Sequence, residues 1–340
     1  MGYRTLDKMN QSLLKTILKH PQTFLKTQER YAQKLEDEAN GIIEKTPDHF
    51  VFGSAVDHML TEDTDFEEVY YIMKSMKLPS DAIVEVINIV FNEYANEGEL
   101  AQHTNHILEA CARVGYGLSW KPETAVGKVV DAGSDYFLVL QKSANKTVIS
   151  QEDYQKAIIA CAALKTDLYI SPFLTKTKDV EIIKKPIFEF TYNGIDFKGE
   201  GDMITINHAE KKVYPIDIKT MSGMITDFPG NFWKYRYDFQ GAFYSKAVTE
   251  YPAVKELLEK GYKLEPFMFF VVEKECINKP MIFTMTHQAL QIGTNGGMLT
   301  NGKKLEGVKQ AVTRYIYHKD SGKWDYPMEY YLNNTMFIEV

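Results

Sequence analysis

Cysteine is scarce. Cys111, Cys161 and Cys276 are three residues in 340, odd in number and widely spaced. This excludes a disulfide scaffold, a CxxC redox pair and a four-thiolate metal cluster, and it fits a reducing cytoplasm. Long apolar runs are missing as well. Nothing approaches the ~18–20 residues that span a bilayer, and the opening MGYRTLDKMNQ has no apolar stretch of a secretory leader, so no membrane partner is expected. Internal repeats and low-complexity linkers are absent, and 44% hydrophobic with 25% charged residues is a globular composition. Positive charge is in deficit: the formal net is −7, which at face value argues against an acidic partner such as nucleic acid.

Counting by segment removes that exclusion. Residues 1–34 hold seven Lys/Arg against Asp7 and Glu29, a net of +5. Residues 35–110 hold 17 Asp/Glu against three Lys, a net of −14. The remaining 29 basic and 27 acidic side chains give +2. Association is steered by local field rather than by the total, so acidic partners stay open.

Hydrophobic periodicity predicts a mainly helical part up to about residue 120 and an α/β core over 121–340, together one integrated domain. A first helix capped by Ser12 is interrupted near Pro21, and others are expected over Phe52–Met59 and Ser80–Tyr94. Lys121–Val148 contains Gly127 and Gly133 between short apolar pieces and is read as a hairpin. Ser150-Gln-Glu-Asp153 is a capping-box pattern opening a helix. Pro186–Phe190, Ile195–Ile206 and Val213–Lys219 are expected as one antiparallel meander. A long helix over Asn231–Thr249, strands at Pro266–Val272 and Pro280–Thr286, and a helix over Leu305–Tyr317 complete a mixed sheet flanked by helices.

The informative stretch is GEGDMITINHAEKKVYPIDIKT, residues 199–220. A hairpin centred between Ala209 and Glu210 sets Asp202 across from Asp217. Opposed side chains on one face of a sheet have Cβ atoms about 5 Å apart. Lys219, two residues on, points to that face as well. Two carboxylates so close repel unless a cation lies between them, and hard carboxylate oxygens suit Mg²⁺ or Mn²⁺. An ion held there could polarise a phosphodiester and acidify a bound water, which Lys219 would orient. The plainer alternative is a D-x-K ion pair on a solvated strand edge.

Three further pieces accompany it. FGSAVDHML (52–60) carries Asp57 and His58, which point about 100° apart on a helix, so one of them faces the metal. In WKYRYDFQGAFY (233–244), Arg236, Gln240 and Tyr244 recur at i, i+4 and i+8, a face suited to phosphate or simply a surface patch beside Phe239 and Phe243. Glu189, in the strand before the hairpin, is either a supporting acid or exposed.

In this order, the pieces resemble the RecE/RecB-type branch of the PD-(D/E)XK nucleases, above all phage RecE-like exonucleases. The resemblance rests on Gly53 to Asp57/His58, Gly199 to Asp202, Asp217-Ile218-Lys219 and Gln240 to Tyr244, with NQSLLKTILKHPQTF similar to the family's N-terminal helix and proline. It spans roughly residues 10–250 and implies a restriction-endonuclease-like α/β fold. It further implies metal ligation by Asp202, Asp217 and the Ile218 carbonyl, with catalysis by Lys219 and with Gln240, Tyr244, Arg236 and Glu189 supporting site or DNA. The family histidine falls at position 57, which is Asp here. Asp57 is therefore the preferred ligand and His58 the alternative, with one or two ions per site. The same resemblance implies duplex DNA with free ends as substrate, 5′→3′ digestion, a ring-shaped homo-oligomer, an annealing recombinase as partner, and a bacterial or phage-infected cytoplasm. A structure-specific or single-strand endonuclease, or a non-catalytic DNA-binding recombination accessory, would use the same residues differently.

Two other features are set aside. Gly297-Met-Leu-Thr-Asn-Gly302-Lys303-Lys304 nearly matches a phosphate loop, but Lys stands where the Mg²⁺-binding hydroxyl belongs, so ATP is not expected. That loop, with Lys309, Arg314, Lys319 and Lys323, is either a DNA-backbone contact or ordinary basic surface.

Overall fold

Asn10, not Ser12, caps the first helix. Its extended backbone lets the side chain accept a hydrogen bond from the Leu13 N–H at 2.8 Å, whereas Ser12 already lies inside the first turn of α1 (Gln11–Thr16). The helix is interrupted near Pro21 as expected: α1 ends at Thr16 and Pro21 opens α2 (Pro21–Ala39), since proline needs no N–H at a first helical position. The acidic, small-residue helix α3 spans Asp48–Thr61. The computed structural model describes residues 8–39, 48–74, 79–94, 96–143 and 146–336. Its contacts divide into two compact units, Met1–Glu44 with Gly53–Glu62 and Lys156–Val340, and Lys45–Phe52 with Asp63–Gln155.

The smaller unit is built from α4 (Phe66–Val69), β1 (Tyr70–Met73), α5 (Asp81–Ile89), α6 (Thr104–Val114), α7 (Pro122–Lys142) and β2 (Thr147–Ser150), with β1 and β2 parallel. Ile83, Val86, Ile87, Ile107, Val129 and Phe137 close its core. The hairpin expected over 121–148 is instead the long helix α7 followed by β2. Pro122 sits in its first turn, and Ala125, Val129, Gly133 and Phe137 recur every four residues on the buried side. The glycines that suggested turns lie within that helix, and Gly133 is where Ile87 packs against its backbone.

α8 (Gln151–Thr166) opens with the Asp153 N–H donating to the Ser150 hydroxyl at 3.0 Å; the larger unit takes up the chain from Lys156 within this helix and continues through α9 (Ser171–Leu174). Then come β3 (Val180–Lys184), β4 (Ile187–Tyr192), β5 (Ile195–Glu200), β6 (Met203–Asn207) and β7 (Lys212–Met221). They are followed by α10 (Phe228–Lys234), α11 (Tyr237–Glu250), α12 (Pro252–Glu259), β8 (Lys263–Leu264), β9 (Met268–Glu273), β10 (Met281–Thr284) and α13 (His287–Asn295). The chain ends with β11 (Gly297–Met298), β12 (Lys304–Leu305), α14 (Val308–Ser321) and α15 (Met328–Asn333). The central sheet has the order β10-β9-β7-β6-β3 with β8 beside β7, and it is mixed because β7 pairs parallel with β8 and β9.

Helices cover both faces. Ala247, Val248 and Val254 of α11 and α12 pack on Ile204, Ile206 and Val213. On the opposite face Phe173 of α9 meets Tyr214 and Phe270, and its carbonyl accepts from the Thr205 hydroxyl. The fold is thus α/β, a central mixed sheet flanked by helices and preceded by helical segments.

Two further expectations are corrected. The meander is not continuous: β4 and β5 form their own hairpin around Asn193-Gly194, and the chain breaks at Gly201–Asp202 before β6, which pairs instead with β3. The long helix over 231–249 is broken at Tyr235–Arg236, where Arg236 takes a left-handed backbone (φ 62°) that no sequence pattern announces. The near phosphate loop is a small hairpin, β11 against β12, with α14 beginning only at Val308. Among the described residues no helix is long and apolar enough to cross a membrane.

Candidate active site

β6 and β7 pair from Met203↔Ile216 to Asn207↔Lys212, which centres the turn between Ala209 and Glu210. Asp202 is the residue just before β6, and Asp217 the residue just after the paired Ile216. One Asp202 oxygen accepts the Ile218 N–H at 2.8 Å, fixing the carboxylate against β7. The other is 3.4 Å from the Lys185 ammonium. Lys185 also forms an ion pair with Asp57 of α3, whose remaining partner is the Thr61 hydroxyl at 3.2 Å. Gly53 brings α3 in: a Cβ there would stand 2.9 Å from Thr220 Oγ1 of β7.

Asp217 is buried, with 6% of its surface exposed. Oδ1 accepts from the Gln240 amide of α11 at 2.8 Å. Oδ2 lies 2.5 Å from Lys219 Nζ, but no donor is aligned on it as a hydrogen bond. Lys219 Nζ is also 5.0 Å from the Tyr237 ring centre. Burial, the largest cause, pushes the Asp217 carboxyl above its ordinary range; Lys219 opposes this, while Asp202 and Asp57 add to it. Asp57 is raised by burial and then by Asp202, against Lys185. Burial pulls Lys185 down, but Asp202 and Asp57 together outweigh it and raise the ammonium. Lys219 is likewise raised, its burial overcome by Asp217 and Asp202.

Tyr244, expected to support the site or the DNA strand, stands beside the two aspartates. Its ring lies over Gly199, where a Cβ would meet it at 2.9 Å, and tilts against Phe188 with centroids 6.0 Å apart. With Asp202 and Asp217 it borders a cavity of about 10 Å³, room for one water. Arg236 does not share the Gln240–Tyr244 face, because it precedes α11. Its guanidinium binds the fully buried Asp238 at 2.9 and 3.1 Å and the Glu306 carbonyl. Glu189 is exposed on the β4–β5 hairpin and paired with Lys8. Arg314 of the basic C-terminal segment is taken up by Glu306 and Glu329. His58 is buried, 8% exposed.

Sequence reasoning missed Lys185, Glu200 and Lys15. Glu200 is raised by its own burial, with Lys185 acting against that. Lys15 of α1 is lowered by burial and by the neighbouring charges of Arg236, Lys19 and Lys219. Lys185 could not have been found by pattern, for it sits between strands in a left-handed conformation (φ 45°) immediately before Pro186. Beyond Lys219, a cleft of about 130 Å³ is lined by Thr220, Ser222, Asn231, Tyr235 and Tyr237.

Asp57 of α3, Asp202 at the β6 entrance and Asp217 of β7 carry hard oxygens of the kind Mg²⁺ or Mn²⁺ takes, and the buried Asp217 Oδ2, on which no hydrogen-bond donor is aligned, fits such a role. Among the described residues no three His, Cys, Asp or Glu side chains already stand at ion-holding geometry. Among the described residues the cations that contact these acids are the ammonium groups of Lys185 and Lys219.

Compared with known proteins, residues 11–326 match the model of a family described as "PDDEXK-like domain of unknown function (DUF3799)". A crystal structure of a protein named "Putative exonuclease", from Eubacterium rectale, is similar over 88% of this chain and 96% of that chain. It shares 14% sequence identity, with a TM-score of 0.35. No curated protein matches the sequence.

Proposed function

The chain belongs to the PDDEXK-like family of unknown function, and from that premise we propose that it is a Mg²⁺-dependent DNA exonuclease acting on duplex ends. The observation that carries the reading is Asp217, a buried carboxylate clamped by Gln240 at 2.8 Å and by Lys219 at 2.5 Å, with Asp202 fixed beside it through the Ile218 N–H. A site built for stability would have little reason to gather like charges under an apolar sheet.

In this reading Asp202, Asp217 and the Ile218 carbonyl would hold Mg²⁺ (Mn²⁺ substituting), joined by Asp57 rather than His58. Bound there, the ion would supply Lewis acidity toward a phosphate oxygen and a more acidic water. Lys219 would orient an attacking water and stabilise negative charge developing on the phosphate. Gln240 keeps Asp217 from rotating away. Tyr244 acts by filling the space over Gly199, so that α11 stays seated on the hairpin. The first 34 residues carry a net of +5, and one cation of that segment, Lys15, lies near enough for its charge to interact with that of Lys219, which suits a polyanionic strand. The RecE-like branch, 5′→3′ polarity, a ring-shaped homo-oligomer and an annealing recombinase partner rest on sequence resemblance alone.

The test compares linear duplex with covalently closed circular DNA in Mg²⁺ and in EDTA. Progressive loss of the linear substrate only, abolished by chelator, is expected. Cleavage of the closed circle would make the enzyme an endonuclease. Binding without cleavage in Mg²⁺ and Mn²⁺ would make it a non-catalytic accessory. Asp57→Ala and His58→Ala assayed together settle the third ligand: loss confined to His58→Ala overturns the choice of Asp57.

A further inference from the structure

The acidic group is held together by a lysine for which the reaction above has no use. Lys185 leaves β3 in a left-handed conformation (φ 45°), and its N–H donates to the Asp202 carbonyl at 3.0 Å. Gly201 N–H donates to the Pro186 carbonyl at 3.0 Å. The backbone around Lys185 is therefore tied to the segment carrying the Asp202 carboxylate, and its side chain, 16% exposed, reaches between Asp202 and Asp57. Among the described residues each acid has one other side-chain tether, Ile218 N–H for Asp202 and the Thr61 hydroxyl for Asp57. Neither tether neutralises charge. Lys185 is the cation that contacts both, and Glu200 adds negative charge nearby.

An ammonium is a monovalent cation on a leash. It draws the two carboxylates together, but it cannot share them with a divalent ion: to ligate Asp57 and Asp202 at once, the ion must take the place of Lys185 Nζ. We propose that Lys185 is a tethered competitor for the divalent cation at the Asp57–Asp202 pair, a positioning residue that preserves the site without metal and sets how tightly, and with how many ions, it loads. This rests on the reading of the three aspartates as the metal site. Its consequence is distinct, because it concerns ion binding in the absence of any substrate. Removing the competitor frees the carboxylates, so ion affinity rises while the metal-free protein loses its internal counterion.

The experiment is calorimetric titration of the full chain with Mn²⁺ alone, for wild type, Lys185→Met, Lys185→Gln and Lys185→Arg, beside thermal unfolding of each in EDTA and in saturating Mn²⁺. Lys185→Met and Lys185→Gln should bind Mn²⁺ about tenfold more tightly or take up an additional ion. Both should unfold at lower temperature than wild type in EDTA, with the difference closing in Mn²⁺. Lys185→Arg, which keeps the charge, should follow wild type. A merely structural lysine would lower the unfolding temperature equally in EDTA and Mn²⁺ and leave ion affinity unchanged or weaker. That outcome, or no Mn²⁺ binding by any of the four proteins, overturns the proposal. Absence of DNA cleavage by wild type would instead refute the nuclease reading and leave the ion titration to be judged by itself.

Discussion

Substituting one glycine by alanine should have opposite effects in two helices. A Cβ on Gly293 of α13 would overlap the Asp238 carbonyl, lying 2.6 Å from its carbon and 3.0 Å from Ala242 Cβ. Carbon contacts are comfortable at about 3.5 Å, so α13 and α11 must separate by about 1 Å. The obstacle is main chain, which cannot swing aside as a side-chain tip can. Overpacking of this kind costs about 3 kcal/mol, against which alanine returns about 1 kcal/mol of helix propensity. The net loss of about 2 kcal/mol corresponds to a Tm lower by about 3 °C in a chain of this length. Gly127 of α7 has nothing within 4 Å of the added Cβ, so Gly127→Ala should gain about 0.5–1 kcal/mol. Because α11 also presents Gln240 to Asp217, Gly293→Ala should slow cleavage beyond what its stability loss explains, whereas Gly127→Ala should leave the rate unchanged. Differential scanning calorimetry with single-turnover kinetics reads both effects. A Gly293→Ala protein as stable and active as wild type would refute the packing argument.

Arg236→Ala strips the buried Asp238 of its guanidinium, and such a loss costs about 3–5 kcal/mol, so thermal unfolding should fall by about 4 °C or more. If Arg236 reads phosphate instead, DNA affinity will drop with Tm unchanged. Lys219→Ala should slow the chemical step by about 10²-fold while DNA binding, measured by anisotropy, is nearly unchanged; an equal loss in binding would contradict its role. Glu273 accepts from the Asn278 amide at 2.7 Å and from the Ile225 and Asn278 N–H groups, and these bonds, led by the Asn278 side chain, hold its carboxyl below the usual range. Its folded pKa is depressed, so its contribution is complete above the unfolded value near 4.3 and is lost as pH falls through the folded value. Wild type should exceed Glu273→Gln in Tm at pH 7, with the gap closing below about pH 4; a pH-independent gap would contradict this.

The register of β6 and β7 was readable because polar turn residues Asn207–Lys211 separate two apolar runs, and that alone brings Asp202 beside Asp217. The helix presenting Asp57 and the amide of Gln240 were equally legible from small-residue and i, i+4 spacing. What escaped was set by backbone outliers and tertiary contact. Arg236 in a left-handed conformation breaks an otherwise continuous helical period, and its side chain turns to a buried acid. Lys185 is placed by a turn before proline, in a conformation L-residues rarely adopt. The hairpin expected at 121–148 failed because glycine signals turns locally, while Gly133 sits beneath Ile87 within a helix. The break at Gly201–Asp202 likewise reflects packing, with Phe188 and Tyr244 lying over the glycines at 201 and 199.

The most direct measurement is single-turnover cleavage of an end-labelled linear duplex by wild type and Asp217→Asn in saturating Mg²⁺, with unfolding and DNA binding followed on the same samples. The isosteric amide keeps the packing but removes the charge. A rate lower by about 10³-fold with fold and binding retained is the predicted result. A substituted protein that cleaves at the wild-type rate would place the chemistry elsewhere in the chain.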